Sequence, residues 1–175
     1  MTYGTVMVLA MVCGQSDMHS TPQDFQELGK LMVGRWSGDI TLIADWPGMK
    51  KKAGEKLINY RTAQWAADGK AFTDTVVGGE TTGISLWIFD PIAKQIRQRA
   101  VDSAGGSIDA IAWKEDSARW GFKVTSGGLA DGTKMEGTGH LLFTDGGKSY
   151  VVEADVTLGG KPLLKLHDTY VRLNQ

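Results

Sequence analysis

Pairs of adjacent glycines divide this chain into short segments. Five Gly-Gly pairs occur after residue 77, and the segments between them are rich in Val, Ile, Thr and aromatic residues. Within these segments apolar and polar residues alternate, which is the period of a β-strand with one buried face. Glycine accepts the positive φ angles that tight hairpins require. The pattern therefore predicts many strands joined by short turns.

The predicted strands follow one another too closely for long crossover connections. There are ten of them, at about 35–43, 55–66, 70–77, 82–89, 95–102, 106–114, 117–126, 133–144, 148–156 and 162–173. Strands joined by hairpins are neighbours in a sheet, and a long twisted meander removes its exposed edges by closing on itself. The sequence thus predicts an all-β fold, a closed antiparallel up-and-down β-barrel of about ten strands. A two-sheet sandwich would need longer connections.

One short N-terminal helix is predicted before the first strand. Ser20 or Thr21 can cap it, Pro22 suits its first turn, and apolar residues recur at helical spacing until Gly34 ends it. We expect this helix to plug or flank one mouth of the barrel.

The first fifteen residues differ from the rest of the chain. Residues 5–12 carry only small or apolar side chains, a run too short for a membrane-spanning helix, which needs about 20 apolar residues. We interpret residues 1–15 as a signal-peptide segment, 16–34 as a leader with the short helix, and 35–175 as a single β-barrel domain. Export to the periplasm or the extracellular space is expected. Cys13 would be the attachment point of a lipid anchor, although the residues before it fit the lipidation pattern poorly.

Composition and motifs narrow the classes of partner. The chain has 19 basic and 20 acidic residues, a formal net charge of -1, whereas nucleic-acid-binding surfaces carry an excess of Lys and Arg. No Ser nucleophile elbow, phosphate-binding glycine loop or His-Glu-x-x-His motif occurs in the sequence. Two barrel histidines are too few for a three-ligand zinc site. We therefore expect no nucleic-acid partner and no metal.

Alternation along the strands assigns an inner face to several of them. Trp36, Ile40 and Leu42 share a face of the first strand, opposite Arg35 and Asp39. The same reasoning places inside Ile84, Leu86 and Ile88 of the fourth strand, Trp120, Phe122 and Val124 of the seventh, Met135, Leu141 and Phe143 of the eighth, and Tyr150, Val152, Ala154 and Val156 of the ninth. The fourth strand is ambiguous because it is apolar on both faces, which suggests that the helix or a second subunit covers the outside.

The junction between helix and first strand carries a known pattern. Phe25-x-x-Leu28 leads into Gly34-Arg35-Trp36-Ser37-Gly38, which is Gly-x-Trp-x-Gly at the start of a strand. This resembles the beginning of calycin-type barrels, a group that includes lipocalins, fatty-acid-binding proteins and nitrobindin-like haem barrels. The lipocalin resemblance implies that Trp36 packs against Arg172 of the last strand and closes the base of the barrel. Such a guanidinium–indole contact contributes about 0.5–2 kcal/mol.

A wider resemblance covers the chain from about 25 to 173. Phe89-Asp90-Pro91-x-x-Lys94 and Arg99-x-x-Asp102-Ser103 accompany the same opening in uncharacterised bacterial lipocalin-like proteins, which are often exported. This resemblance implies a fold and carries no established activity.

Aromatic, cationic and imidazole side chains on the strands are candidates for the walls of an interior site. The candidate ligand-binding residues are Trp36, Arg99, Trp113, Trp120, His140, Tyr150 and His167. The nitrobindin-like resemblance implies haem bound through His167 as an alternative. On a regular strand His167 and Arg172 point to opposite faces, so His167 looks outward if Arg172 closes the interior. Acid–base chemistry would draw on Glu136, Glu153, Asp155 or Asp168 beside Arg61, Arg97, Arg99 or Tyr60, whose simpler interpretation is charge pairing on the outer face.

Three functions remain open at this point. The first is a calycin-like barrel that binds a small apolar or amphipathic molecule in its interior. The second is a small enzyme, an isomerase, lyase or haem-dependent enzyme, that uses the same cavity. The third is a packed barrel whose outer apolar residues form an interaction surface, with a homodimer as the simplest case. An interior void below about 100 Å³ would exclude the first two.

Overall fold

The N-terminal helix packs across one end of the barrel. The computed structural model describes residues 18–47 and 49–173, so the predictions for the signal-peptide segment and Cys13 lie outside the described residues. Helix α1 spans Pro22–Met32. Thr21 caps it, because its hydroxyl accepts from the backbone N–H of Asp24 while the Asp24 carboxylate accepts from the N–H of Thr21. The predicted helix is confirmed.

Antiparallel pairing joins ten strands into a closed ring. The ten strands of the ring are β1 Gly34–Thr41, β2 Lys56–Ala66, β3 Ala71–Gly78, β4 Thr81–Asp90, β5 Gln95–Asp102, β6 Ser107–Lys114, β7 Arg119–Gly128, β8 Met135–Thr144, β9 Ser149–Leu158 and β11 Leu166–Arg172. An additional two-residue strand, β10 Lys161–Pro162, lies outside the ring. Each strand from β2 to β9 pairs with its predecessor, and β11 pairs with both β9 and β1. The predicted closed up-and-down barrel is confirmed.

The last predicted strand is divided in the structure. β10 extends only the edge of β9, and β11 begins at Leu166 instead of at 162. Pro162 has no N–H to donate and therefore cannot continue a central ladder. The glycine pairs also differ in role: Gly159 and Gly160 form a turn with φ of 57° and 78°, whereas Gly127 and Gly128 lie within β7.

The packed core occupies only the half of the barrel next to α1, which we call the helix end. Thirteen buried side chains form one cluster there: Phe25, Leu28, Met32, Trp36, Phe72, Trp87, Ile96, Ala112, Trp120, Leu141, Phe143, Tyr150 and Tyr170. The helix contributes Phe25, whose ring lies 5.7 Å from that of Phe72. At the opposite end, which we call the open end, the described residues form no comparable cluster.

The inner-face predictions hold for every assigned strand except β4. Ile84, Leu86 and Ile88 are 52%, 45% and 38% exposed, whereas Ser85 and Trp87 are buried. The prediction for β4 was wrong because an apolar face was equated with an inner face. Trp87 joins the core by stacking on Phe72, 5.4 Å between ring centroids. Among the described residues, no helix has the length and apolar character needed to cross a membrane.

Candidate functional site

A cavity of about 400 Å³ fills the interior at the open end. The loops after β1, β3, β5 and β7 surround its mouth. Its upper wall is mainly apolar and includes Ile40, Leu57, Val76, Ile108 and Met135. The void therefore lies between the packed core and the loops, and the barrel is neither fully packed nor fully hollow.

The floor of the cavity is a buried ion pair. Arg61 of β2 and Asp74 of β3 both point inward, with side chains 12% and 1% exposed. The guanidinium Nη2 donates to Asp74 Oδ2 and Nε donates to Oδ1 at 3.3 Å, so the contact is bidentate. A buried carboxylate of this kind requires its partner, because an uncompensated buried charge strongly destabilises a fold.

Two stacked tyrosines hold the Arg61 guanidinium from the side of the core. The rings of Tyr150 and Tyr170 are parallel, with centroids 4.6 Å apart. Arg61 Nη1 donates to Tyr150 Oη at 2.8 Å, and Arg61 Cζ lies 5.2 Å from the Tyr170 centroid. Asn59 Nδ2 donates to Tyr170 Oη at 3.1 Å, while Asn59 Oδ1 has no hydrogen-bond partner among the described residues.

Burial and neighbouring groups act in opposite directions on this cluster. Burial, the largest single effect, would lower the pKa of Arg61, but the charge of Asp74, its hydrogen bond and the two neighbouring tyrosines together raise this pKa well above its usual value. Burial raises the pKa of both Tyr150 and Tyr170. Arg61 therefore stays charged and both phenols stay neutral across the physiological range.

Asp168 is a second buried carboxyl group, on the inner face of β11. It is 8% exposed, and its Oδ1 accepts from the backbone N–H of Thr41 at 3.3 Å. Burial raises the pKa of Asp168 to about 6, against the opposing effects of the Thr41 N–H and Arg61. The outer-face interpretation of Asp168 and of Arg61 is thus wrong, since both point inward.

Two neutral polar side chains line the cavity above the ion pair. Ser85 of β4 accepts a hydrogen bond from Trp87 Nε1 at 3.1 Å, which leaves its hydroxyl proton available. Gln98 of β5 faces the cavity, and no residue of the described chain hydrogen-bonds to its side-chain amide. These groups supply donors and an acceptor without a charge.

None of the seven predicted ligand-binding residues lines this cavity. Trp36, Trp120 and Tyr150 are fully buried in the core at the helix end, and only the Tyr150 hydroxyl reaches the floor through Arg61. Trp113 lies on the outer face, where its indole covers the backbone of Gly121. It points outward because its neighbour Ala112 belongs to the core.

The other three predicted residues each lie beside an acidic side chain on the outer face. Arg99 is paired with Asp109, with Nε 2.6 Å from Oδ1. His140 Nδ1 lies 3.0 Å from Glu115, and His167 Nδ1 lies 3.0 Å from Glu153. His167 is 61% exposed and alternates with the inward Asp168. An interior haem held by His167 does not fit this geometry.

The residues that do build the site carried a weak sequence signal. Asn59 and Arg61 alternate with Ile58 and Tyr60 in β2, and hydrophobicity alone would place the apolar pair on the inner face. In β3, Asp74 stands between Phe72 and Val76 on the inner face, so a buried partner for it could have been sought on the adjacent strand.

Arg172 and Trp36 close the helix end. They are directly paired across β11 and β1, and Arg172 Cζ lies 4.1 Å from the Trp36 ring centroid. Arg172 also donates to the carbonyl oxygens of Leu31 and Val33, both at 2.6 Å, at the C-terminus of α1. The contact therefore joins helix, first strand and last strand, away from the cavity. Burial lowers the pKa of Arg172.

Comparison with known proteins identifies a fold. No protein-family model matches the chain, and no curated protein matches its sequence. Among solved structures, the S-type phycobiliprotein lyase from Guillardia theta superposes with a TM-score of 0.56 at 10% identity, covering 87% of this chain and 94% of that one. This likeness supports a calycin-like barrel. Within residues 18–47 and 49–173, no group of three or more His, Cys, Asp or Glu side chains could hold a metal ion.

Proposed function

We propose that this barrel binds a small, predominantly apolar molecule in the cavity at its open end. The observation that carries the proposal is the cavity itself, whose volume of about 400 Å³ lies within the roughly 300–1,000 Å³ of small-molecule sites. Apolar walls above a few inward polar groups are the usual composition of such sites. The lyase neighbour supports the proposal only through the shared barrel.

The cavity exists because the core is concentrated at the helix end. The large inward aromatic residues Trp36, Phe72, Trp87 and Trp120 all lie there. The inward positions nearer the mouth carry smaller side chains, such as Ala100, and cannot fill the same cross-section. A ligand of matching shape would recover the contacts that these walls lack.

Titration with a neutral apolar fluorophore, N-phenyl-1-naphthylamine, tests this proposal on the full chain. We expect saturable binding with one site per chain. Ala100→Trp places an indole inside the cavity and should weaken binding at least tenfold. Arg99→Trp, the next residue on the same strand, points outward and should change the affinity less than twofold. Absence of saturable binding, or full binding by a correctly folded Ala100→Trp, would contradict the proposal.

A second role, self-association, is favoured by one outer face of the barrel. We define the uncharged face as ten outward residues of β2, β3 and β4 that lie between the charged strand ends Lys56 and Asp90: Ile58, Tyr60, Thr62, Thr73, Thr75, Val77, Thr82, Ile84, Leu86 and Ile88. Thr82 and Ile84 also border the cavity mouth. Its apolar members are 38–55% exposed, on the order of 600 Å² in total, which is the upper limit of what monomers usually expose. When the threonines are included, the exposed area of the face approaches the value of about 800 Å² that each partner buries in a standard interface.

A second copy of this chain suits the uncharged face best. The ten residues of the face carry no charge, so the centre of a contact between two copies would bring no like charges together, while Lys56, Asp39, Arg97 and Arg99 would lie at its edge. Two sheet faces can pack about 10 Å apart with aligned strands. Sedimentation velocity should show a dimer in the full chain and a monomer in Ile58→Lys, which lies on the face and outside the cavity lining. Val171→Lys, at an equally exposed valine on β11, should remain a dimer. A monomeric wild-type protein at about 100 μM, well above ordinary interface affinities, would refute this role.

A further inference from the structure

Among the described residues, three charged side chains line the cavity, and none of them offers a free positive charge. They are Arg61, Asp74 and Asp102. Two edges of the Arg61 guanidinium are occupied, one by both oxygens of Asp74 and the other by the Tyr150 hydroxyl. Asp102 lies at the mouth, where its Oδ1 accepts from the backbone N–H groups of Ala104 and Gly106. The lining therefore has a formal charge of -1.

A carboxylate ligand would find no compensating group in this cavity. Its charge would be desolvated beside Asp74, whose own charge already neutralises Arg61, and it would pass Asp102 at the mouth. Transfer of an unpaired carboxylate from water into such surroundings is strongly unfavourable. An ammonium group at the floor would be repelled by the Arg61 guanidinium, and Asp102, the remaining acidic group of the lining, lies at the mouth, away from the floor.

Neutral polar groups, in contrast, meet complementary partners. The Gln98 amide faces the cavity with two N–H donors and one carbonyl acceptor, all without a partner in the described chain. The Ser85 hydroxyl retains its proton because it acts as acceptor toward Trp87. Ser85 and Gln98 project inward from the adjacent strands β4 and β5. Ser85 is paired with Ala100, two residues after Gln98 on β5, so the two polar side chains are diagonal neighbours. A hydroxyl, carbonyl or amide on a ligand could bond to either.

We infer that the cavity selects a neutral amphipathic ligand, an apolar body with one uncharged polar group that binds Gln98 and Ser85, and discriminates against carboxylates. The inference rests on the proposed binding function. It makes the Arg61–Asp74 pair a charge-neutral floor instead of an anion site. Asp74 thereby determines which ligand charge the cavity accepts, because it neutralises Arg61, although it bonds to Arg61 and not to the ligand.

Displacement of bound N-phenyl-1-naphthylamine by three ligands with one chain and different head groups tests the inference. At pH 7.5 we expect 1-decanol to displace the fluorophore at concentrations at least tenfold lower than decanoate or decylamine. Gln98→Leu should reduce the affinity for decanol about tenfold while the fluorophore still binds. Gln64→Leu, at an exposed glutamine on the outer face of β2, should leave both affinities unchanged.

Asp74→Asn is the decisive variant, because it releases the guanidinium charge while keeping the shape of the side chain. It should raise the affinity for decanoate relative to decanol at least tenfold. Equal displacement by decanol and decanoate in the wild-type protein, or an unchanged ratio in Asp74→Asn, would overturn the inference. If Asp74→Asn does not fold, the Gln98→Leu series decides alone. Loss of fluorophore binding in the wild-type protein would instead defeat the proposed function.

Discussion

Substitution of Arg172 by Met tests the closure of the helix end. Arg172 donates to the carbonyl oxygens of Leu31, Val33 and Gly147, at 2.6, 2.6 and 3.1 Å, and its guanidinium covers Trp36. Met keeps much of the apolar stem and loses all of these interactions. Each hydrogen bond from a charged group contributes about 1.5–3 kcal/mol and the cation–π contact about 0.5–2 kcal/mol, and such contributions are not additive at one side chain.

For this partly buried side chain we expect Arg172→Met to lower the free energy of unfolding by about 3 kcal/mol. Arg172→Lys should lower it by about half as much, because an ammonium cannot reach several carbonyls and stack on an indole at once. Urea unfolding, followed by circular dichroism and tryptophan fluorescence, measures both. Arg99→Met removes an exposed ion pair with Asp109 and should lie within about 1 kcal/mol of the wild type. A change below 1 kcal/mol for Arg172→Met would refute the argument.

Three further predictions follow from single contacts. Because folding raises the pKa of Asp168 from 3.8 to about 6, the stability that this group contributes is complete below pH 3.8 and is lost as the pH rises through 6. Asp168→Asn should therefore be more stable than wild type at pH 7, by on the order of 2 kcal/mol, and urea unfolding should show this difference shrinking toward pH 4; an unchanged difference would contradict the assignment. Gly121→Ala should destabilise the barrel and alter tryptophan fluorescence, since its Cβ would lie 2.4 Å from the Trp113 ring; unchanged stability would show that the ring moves freely. His140→Ala and His167→Ala should leave fluorophore affinity within twofold, and a tenfold loss in either would contradict their outward placement.

The sequence allowed the fold to be predicted because its signals are local. Thr21 and Asp24 define the helix start by contacts three residues apart, and hairpin glycines such as Gly159 mark turns by their φ angles alone. The resemblance also pointed to the pairing of Trp36 with Arg172, because the first and last strands of a closed barrel must meet. Each of these features depends on few residues, so its prediction stays correct even when other parts of the chain are assigned wrongly.

The candidate site could not be predicted in the same way, because the residues that line it depend on which face each strand turns inward. The side-chain chemistry of Trp113 and His140 suggests a binding role, but the pleat of their strands places both on the outer face of the barrel. Gln98 looks like any strand glutamine until register sets it opposite Ala110, on the inner side. A shift of the strand register by one residue moves a side chain from the interior to the solvent. The composition of a strand therefore cannot show which of its residues line the cavity.

One inversion accounts for both the cavity and the uncharged face. In β2 and β4 the larger aliphatic residues, such as Ile58 and Ile84, point outward, while Asn59, Arg61 and Ser85 point inward. A strand turned this way leaves polar groups and empty volume inside and, on its other face, apolar area in contact with water. Both features are unfavourable in an isolated monomer. A ligand would fill the empty volume inside the barrel, and a second copy of the chain would cover the exposed apolar area outside. If only one of the two events were observed, the other face of the same strands would lack an explanation. The fluorophore titration and the sedimentation experiment therefore test a single interpretation of the sequence.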